Sequence, residues 1–297
     1  MKDATPKGPT LRQFQQRFPT EDSCLDHLMR VRYGAKHTCA KCEREARYYR
    51  VKARRSFECE YCGHQVYPTA GTPFEKTRTS LRDWFYVMFL FTTSRNGVAA
   101  KRVQREIGVT YKTAWRMCHL IRHYMGYVDG DDALGGPDGK PVEIDHAFIG
   151  GFSPGKTGQG DKMVVLGMVE TGGNVITTPV NSISSGENMP IIMRAVKAGS
   201  SVTTDTATSF QGLARTANGY DHKMVNHLRK ERVREGRTTN TIEGYWSLLK
   251  RGINGTYIAV SAKHLPKYLA EFEFRYNLRK HPHIMFDLLL QSFPRGA

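Results

Sequence analysis

The sequence lacks the features that would mark a membrane or secreted protein. It has no apolar run of about 18 residues, the length that a membrane-spanning helix needs. Its longest apolar stretch, WFYVMFLF, covers only residues 84–91. The first ten residues, MKDATPKGPT, contain no apolar signal core. These absences argue against a membrane protein and lead us to expect a protein of the cytosol.

Acidic residues are also scarce: 28 Asp and Glu stand against 44 Lys and Arg, which gives a net charge of +16. Such an excess favours a nucleic-acid partner, because each phosphate that is neutralised releases a condensed counterion. The alternative is a protein that is merely basic. Charged residues make up 24% of the 297, so composition does not predict disorder. The length suggests about two domains.

A segment rich in Gly, Pro and Asp, DGDDALGGPDGKP at 129–141, predicts a linker and the main domain boundary. Beyond it, three strands in a meander and then alternating helices and strands predict an α/β fold with a mixed sheet and flanking helices. The expected order is a helical lead-in, a cysteine-containing segment, a helical region, the linker, an α/β core and a tail, at 1–33, 34–70, 75–128, 129–141, 142–285 and 286–297.

Four of the six cysteines form two C-x2-C pairs with sixteen residues between them: Cys39, Cys42, Cys59 and Cys62. In a reducing compartment, this spacing predicts a zinc ribbon rather than disulfides or coincidental pairs. The zinc would be structural, because protein thiolates fill all four positions. Basic and aromatic residues between the pairs, Arg54 and Arg55 among them, predict a β-hairpin with a cationic face.

Residues 97–122, GVAAKRVQREIGVTYKTAWRMCHLIR, have the spacing of a helix-turn-helix. Gly108 marks the turn, Thr110 can cap the second helix, and Trp115 is expected to face the core. The side chains near the start of the second helix are expected to face DNA: Tyr111, Lys112, Thr113 and Arg116. The alternative is an ordinary helical hairpin with a solvated basic face.

Three acidic residues occupy apolar settings, where a carboxylate is costly unless it is paired or holds a metal. Asp145 lies within an apolar strand, Asp205 ends the strand SVTTD, and Glu243 opens a helix. Together they could bind Mg²⁺ or Mn²⁺, which would activate a water or a 3′-hydroxyl on DNA. From the residues alone, an unrelated acidic triplet is an equal alternative. Lys250 shares the helix face of Glu243 and could contact a phosphate; with Arg251 it could equally be a solvated basic face.

At these residues the sequence resembles bacterial insertion-sequence transposases that combine a zinc ribbon with an ISXO-type DDE catalytic domain. The matching segments are the four cysteines, VEIDHAFIGG, VTTD, TTNTIEGYWSLLKRGINGTY and VSAKHLPKYLAEFEFRYNLR. The resemblance spans about residues 14–285. It implies an RNase H-like core that cleaves double-stranded DNA at element ends and transfers the strands, working as a homodimer or a larger synaptic assembly.

The resemblance implies that Asp145 and Asp205 are the first two acids of the catalytic set. Its third position falls in the segment NTIEG, where we favour Glu243, with Asn240 as a rival or an additional ligand. Many relatives have a Glu after the first acid, whereas this chain has His146. A neutral histidine can still bind a metal or orient a phosphate.

Three further expectations concern residues around this set. His227, in the predicted strand 222–227, either points into the site or is a structural histidine. In the C-terminal helix the aromatic residues are expected to pack on the core, while Arg275 and Arg279 meet phosphates. The Gly-rich segment RGINGTY at 251–257 is expected to approach DNA closely.

Two other functions remain open at this point. A transposase-derived regulator would bind DNA without cutting it, although the three intact acids argue against this. An RNase H-like nuclease would cut DNA without joining it.

Overall fold

A computed structural model describes residues 7–129, 132–150, 162–225 and 237–295. These residues form two compact units. The first comprises the described parts of 1–94, 98–128 and 280–297, and the second comprises 95–97 and the described parts of 129–279. Within the described ranges, no helix is both long enough and apolar enough to cross a bilayer.

The first unit begins with two short helices, α1 (Leu11–Arg17) and α2 (Glu21–Tyr33). Thr20 caps α2 by accepting the Ser23 N–H at 3.2 Å. The ribbon follows as short strands: β1 (His37–Thr38), β2 (Glu45–Ala46), β3 (Tyr48–Val51), β4 (Ser56–Cys59) and β5 (Gln65–Val66). β3 and β4 pair antiparallel, which confirms the predicted hairpin, and β5 adds to its edge.

Three helices follow the ribbon: α3 (Leu81–Thr93), α4 (Ala100–Ile107) and α5 (Tyr111–Asp129). Nearly all of α3 is buried, because apolar side chains cover its whole circumference. Gly108 ends α4 in the left-handed conformation (φ 69°). Thr110 then accepts the Thr113 N–H at 3.2 Å, so the predicted break and the predicted cap both occur.

The second unit is built on a five-stranded sheet in the order β10-β9-β6-β7-β8. Its strands are β6 (Val142–Ile149), β7 (Met163–Glu170), β8 (Val175–Val180), β9 (Ser201–Thr204) and β10 (Asp221–Met224). The first three form an antiparallel meander, whereas β9 lies parallel to β6 and β10 parallel to β9. The predicted mixed sheet is therefore confirmed.

Helices cover both faces of this sheet: α6 (Ser185–Ala195) on one, and α7 (Asn240–Gly252) and α8 (Leu265–Asn277) on the other. Successive side chains of β6 alternate between the two faces. Ala147 and Ile149 pack with Trp246 of α7, whereas Ile144 packs in the layer of α6. Each fully buried aliphatic side chain stabilises the fold by about 1.5–3 kcal/mol.

The chain passes from the first unit to the second between Val128 and Asp129, where the predicted linker begins, but the extent of that linker and the core end predicted at 285 differ from the structure. Leu134 is buried, and its N–H donates to the Ala195 carbonyl at 2.8 Å, so this part of the expected linker belongs to the second unit. At the other end, residues from Lys280 onward belong to the first unit. Their helix α9 (Met285–Ser292) packs on α3 through a strongly apolar sequence, MFDLLLQS, that needs burial.

Candidate functional site

The four ribbon cysteines form a site with the dimensions of a zinc tetrathiolate. Cys39 Sγ lies 3.6 Å from Cys62 Sγ, and Cys42 Sγ lies 3.9 Å from Cys59 Sγ. A tetrahedral ion with Zn–S bonds of about 2.3 Å sets its sulfurs about 3.8 Å apart. All four ligand atoms lie within 4.8 Å of one another. The donor set and its spacing therefore fit a structural zinc.

Two similar turns present these cysteines. For each C-x2-C pair, the residue four positions after the first cysteine has a left-handed backbone conformation. These residues are Glu43 (φ 59°) and Gly63 (φ 66°). Both residues donate their N–H to the carbonyl of the first cysteine of their pair, at 2.8 and 3.0 Å. Glycine adopts this conformation freely, whereas glutamate adopts it at a cost. The first turn is thus strained where the second is not.

The first two candidate acids lie side by side on parallel strands. β6 and β9 pair up to Ile144 and Thr204, so the next residue on each strand is an aspartate, Asp145 and Asp205. Asp205 Oδ1 accepts the Ala207 N–H at 3.0 Å. The parallel register places Asp145, in the middle of β6, beside Asp205, which directly follows β9.

The third candidate, Glu243, lies in the first turn of α7. Burial raises the pKa of Asp145 to about 6, and the charges of Asp205 and Glu243 add to this rise. Asp205 and Glu243 therefore both lie close enough to Asp145 for their charges to act on its carboxyl group. Asn240 is the first residue of α7; it is exposed, and its N–H donates to Thr238 Oγ1 at 3.0 Å.

A divalent cation is the group that this cluster would accept. The donors are all carboxylate oxygens, as Mg²⁺ and Mn²⁺ prefer, and a cation would relieve their mutual repulsion. In the described part of the chain, however, only the four cysteines have ligand atoms all within 4.8 Å of one another. Glu243 instead accepts the Thr239 hydroxyl at 3.1 Å. The three acids thus have the oxygen ligands that such a cation prefers and lie near one another. The Glu243 carboxylate, however, is hydrogen-bonded to Thr239 at the start of its own helix.

Trp246 is a residue of this site that the sequence analysis missed. Its indole N–H donates to Asp145 Oδ2 at 3.0 Å, which fixes the carboxylate against α7. The indole has room because Gly167, paired with Asp145 across β6 and β7, has no side chain. A Cβ at Gly167 would lie 2.4 Å from two ring carbons of Trp246. The absence of a side chain at Gly167 thus leaves the space that the Trp246 ring needs in order to reach Asp145.

Glu143 is a second missed residue. It is 1% exposed, and its carboxylate accepts the Ile242 N–H at 2.9 Å and the Thr241 hydroxyl at 2.7 Å. Burial raises the pKa of Glu143, which these hydrogen bonds oppose and the nearby Glu243 charge reinforces. A carboxylate at the N-terminus of a helix is favoured by the free N–H groups and the helix dipole. Glu143 therefore clamps α7, which carries Glu243, to the sheet.

The two described histidines near the acids, His146 and His222, lie on the other side of the sheet. His146 follows Asp145 and faces the opposite side, where its ring stacks on Phe210 at 4.8 Å and Nε2 lies 3.0 Å from the Asn188 amide. Burial lowers the pKa of His146, so the neutral form is favoured. In β10, His222 Nε2 lies 2.9 Å from Thr204 Oγ1. His227 lies outside the described residues.

Lys250 is exposed on α7, two turns beyond Glu243, and lines a cleft of about 610 Å³ with Lys162. The end of β6, Phe148–Gly150, forms another wall of this cleft. Arg251 is also exposed. Among the described residues, the cleft lining includes two lysines and no acidic side chain, which favours an anion.

In the first unit, four of the six candidate DNA contacts are exposed, whereas Arg55 and Thr113 are half-buried. On the ribbon, Arg54 is exposed, whereas Arg55 pairs with Glu21 at 2.9 Å. At the start of α5, Tyr111, Lys112 and Arg116 are exposed and Thr113 is half-buried.

The prediction that Trp115 faces the core is wrong. Its side chain is 36% exposed and stacks on His119, one turn further along α5, with ring centroids 3.7 Å apart. The apolar stripe of α5 runs instead through Ala114, Cys118 and Ile121, which are fully buried. Trp115 follows Ala114 by one residue, about 100° round the helix, so it falls outside that stripe.

The prediction for Arg275 is also wrong. It is 9% exposed and forms an ion pair with Glu271, which is fully buried, so its guanidinium does not reach solvent. Arg279 lies over the ring of Tyr276 at 3.9 Å and is half-buried. The expected core packing of the aromatic residues is confirmed for Phe272, which is fully buried.

Comparison with known proteins agrees with both parts of this description. The family model described as ISXO2-like transposase domain matches residues 134–277, and the one described as Transposase zinc-ribbon domain matches residues 19–65. A protein described as uncharacterized, in transposable element ISH50 of Halobacterium salinarum, is 23% identical over 286 residues. The match covers 89% of this chain and 94% of that relative.

The matched ranges contain the candidate metal ligands of both units. The four cysteines lie within the zinc-ribbon match, and the three acids lie within the transposase-domain match. The chain belongs to the insertion-sequence transposases that carry a zinc ribbon and an ISXO2-like domain.

Proposed function

We propose that this transposase cleaves and joins DNA at the cluster formed by Asp145, Asp205 and Glu243, with Mg²⁺ or Mn²⁺ as the catalytic cofactor. The main support is that two aspartates follow paired positions on parallel strands. In addition, the charges of Asp205 and Glu243 both raise the pKa of Asp145. The sheet order, an antiparallel meander continued by two parallel strands, supports an RNase H-like core.

Each side chain around the cluster has a distinct task in this proposal. Trp246 orients Asp145, and Glu143 holds the helix that presents Glu243. Lys250, two turns along that helix, binds a phosphate beside the bond to be cut. Divalent cations at the acids would supply an activated water or 3′-hydroxyl and stabilise the leaving oxygen.

The first unit would hold the DNA. The exposed residues at the start of α5 have the position of base and phosphate contacts in a helix-turn-helix, and the net charge of +16 favours a polyanion. Arg54 on the zinc ribbon would add a backbone contact. Strand transfer requires two element ends to be held together, so we expect a dimer or a larger assembly on double-stranded DNA.

Nicking of a supercoiled plasmid in Mg²⁺ or Mn²⁺ tests this proposal. The variants Asp145→Asn, Asp205→Asn and Glu243→Gln should each lose nicking while they retain DNA binding in a gel-shift assay. Asp138→Asn, which changes an exposed acid of the same unit, is the matched control and should nick as the wild type does. Full nicking by Asp145→Asn would refute the proposal.

The same assay separates the remaining alternatives. Loss of nicking in Asn240→Ala with retention in Glu243→Ala would move the third position to Asn240. A wild-type chain that binds DNA without nicking it would be a regulator. Nicking without transfer of the DNA that borders the gene into a target plasmid would indicate a nuclease.

A further inference from the structure

Ile258 has a conformation and an exposure that the fold does not explain. It is 82% exposed, and no other large apolar side chain in the described ranges exceeds 59%. It is also the centre of a γ-turn with φ 66° and ψ −53°, in which the Ala259 N–H donates to the Tyr257 carbonyl at 2.7 Å. This turn type is rare and strained, and a β-branched residue is the least suited to it.

The turn is held firmly on both sides. Before it, the Tyr257 hydroxyl donates to the buried Glu271 carboxylate at 2.7 Å, and its ring packs against Tyr268 with centroids 4.7 Å apart. After it, Val260 is buried in the core beneath α7 and α8. The isoleucine is thus presented to solvent on a rigid support. A glycine would fit the same turn with less strain, because it has no Cβ.

The surroundings of Ile258 indicate what it meets. It lines the cleft that also contains Lys162, Lys250 and Asn254, and no acidic residue is among the described residues of the lining. Lys250 lies on the same face of α7 as Glu243, and the strand that carries Asp145 ends at the cleft. The partner must therefore offer negative charge to two lysines and a flat apolar surface to an aliphatic tip. A DNA strand supplies both, as phosphates and base faces.

We infer that Ile258 is a wedge that enters a base step of the DNA next to the carboxylate cluster and unstacks it. Aliphatic side chains act in this way in other DNA-bending proteins. Separation of the bases would free the strand to reach the acids. This inference rests on the proposed function, because it assigns a DNA contact to the same site.

The test uses the full-length protein and a duplex of the sequence that borders its gene, with 2-aminopurine at successive positions. Fluorescence of this base rises when it is unstacked. The measurement is made without divalent cation, so that no strand is cut. The wild type should raise the fluorescence at one step, and Ile258→Asn should lose that rise, since asparagine is of similar length and has no apolar tip. Ile183→Asn, at another exposed isoleucine of the same unit, is the matched control and should behave as the wild type.

Two further measurements separate a DNA contact from a structural role. Ile258→Gly should keep the thermal midpoint of the wild type or raise it, because the deletion relieves backbone strain. It should also lower plasmid nicking by about tenfold. A clear fall in the midpoint of Ile258→Gly, or an unchanged fluorescence rise in Ile258→Asn, would overturn the inference.

Failure of the wedge and failure of the proposed function give different results. Duplex binding by the wild type with plasmid nicking but no fluorescence rise would overturn the wedge alone. Absence of nicking by the wild type would overturn the proposed function, and the wedge with it.

Discussion

The close approach of Gly167 to Trp246 allows the position of Asp145 to be disturbed without a change to any of the three acids. In Gly167→Ala the new methyl group would lie 2.4 Å from two carbons of the Trp246 ring and 3.2 Å from Ile242 Cδ1. The ring must therefore move, and its N–H leaves Asp145. Overpacking and the lost hydrogen bond together should lower the free energy of unfolding by about 2–4 kcal/mol. A displaced Asp145 should lower plasmid nicking by about a hundredfold.

Urea unfolding and plasmid nicking measure the two effects on the same samples. Gly186→Ala is the control, because a Cβ there meets nothing within 4 Å, and an added methyl in α6 should leave stability unchanged or raise it by up to about 1 kcal/mol. Trp246→Phe removes the indole N–H while most of the ring volume remains, so it should impair nicking more than stability. Nicking at the wild-type rate by a destabilised Gly167→Ala would refute the idea that Trp246 positions Asp145.

Three further substitutions have outcomes that follow from single contacts. Glu43→Gly should stabilise the zinc ribbon by about 0.5–1 kcal/mol in thermal unfolding, because the backbone strain that it removes exceeds the conformational entropy that glycine adds to the unfolded chain. A loss of stability would contradict this. Glu143→Gln should cost about 1–3 kcal/mol in urea unfolding, because the amide cannot accept both bonds from the start of α7, and wild-type stability would contradict this. Arg275→Ala should cost about 3–5 kcal/mol in unfolding, because it leaves Glu271 buried without a cation, while the salt dependence of DNA binding stays unchanged. A reduced salt slope would restore Arg275 as a phosphate contact.

The features that could be predicted from the sequence are those encoded locally. The cysteine pairs define their own spacing, and the break at Gly108 and the cap at Thr110 are decided within one turn of helix. The strands of the second unit have apolar runs between turn residues. Asp145 and Asp205 could be assigned to strands in this way, and the mixed sheet then brings those strands side by side.

The features that could not be predicted join residues far apart in the chain. Trp246 lies 101 positions from Asp145, and Ile242 lies 99 positions from Glu143. Neither pair has a local pattern. Arg275 illustrates the opposite error: in the sequence it stands in a basic segment, and only the packing of α8 shows that it faces a buried glutamate.

Departures from local rules identify the site more sharply than the acids themselves. An acidic triplet in one sequence can arise by chance, whereas a glycine inside a strand and an isoleucine at a left-handed turn each oppose the preference of their own segment. In this structure the glycine, Gly167, makes room for the tryptophan that holds Asp145, and the isoleucine, Ile258, borders the cleft of Lys250. Natural sequences depart from local preference mainly where function requires it. Both departures therefore support the proposed site: Gly167 through the position of Asp145, and Ile258 through the cleft that Lys250 of α7 also lines.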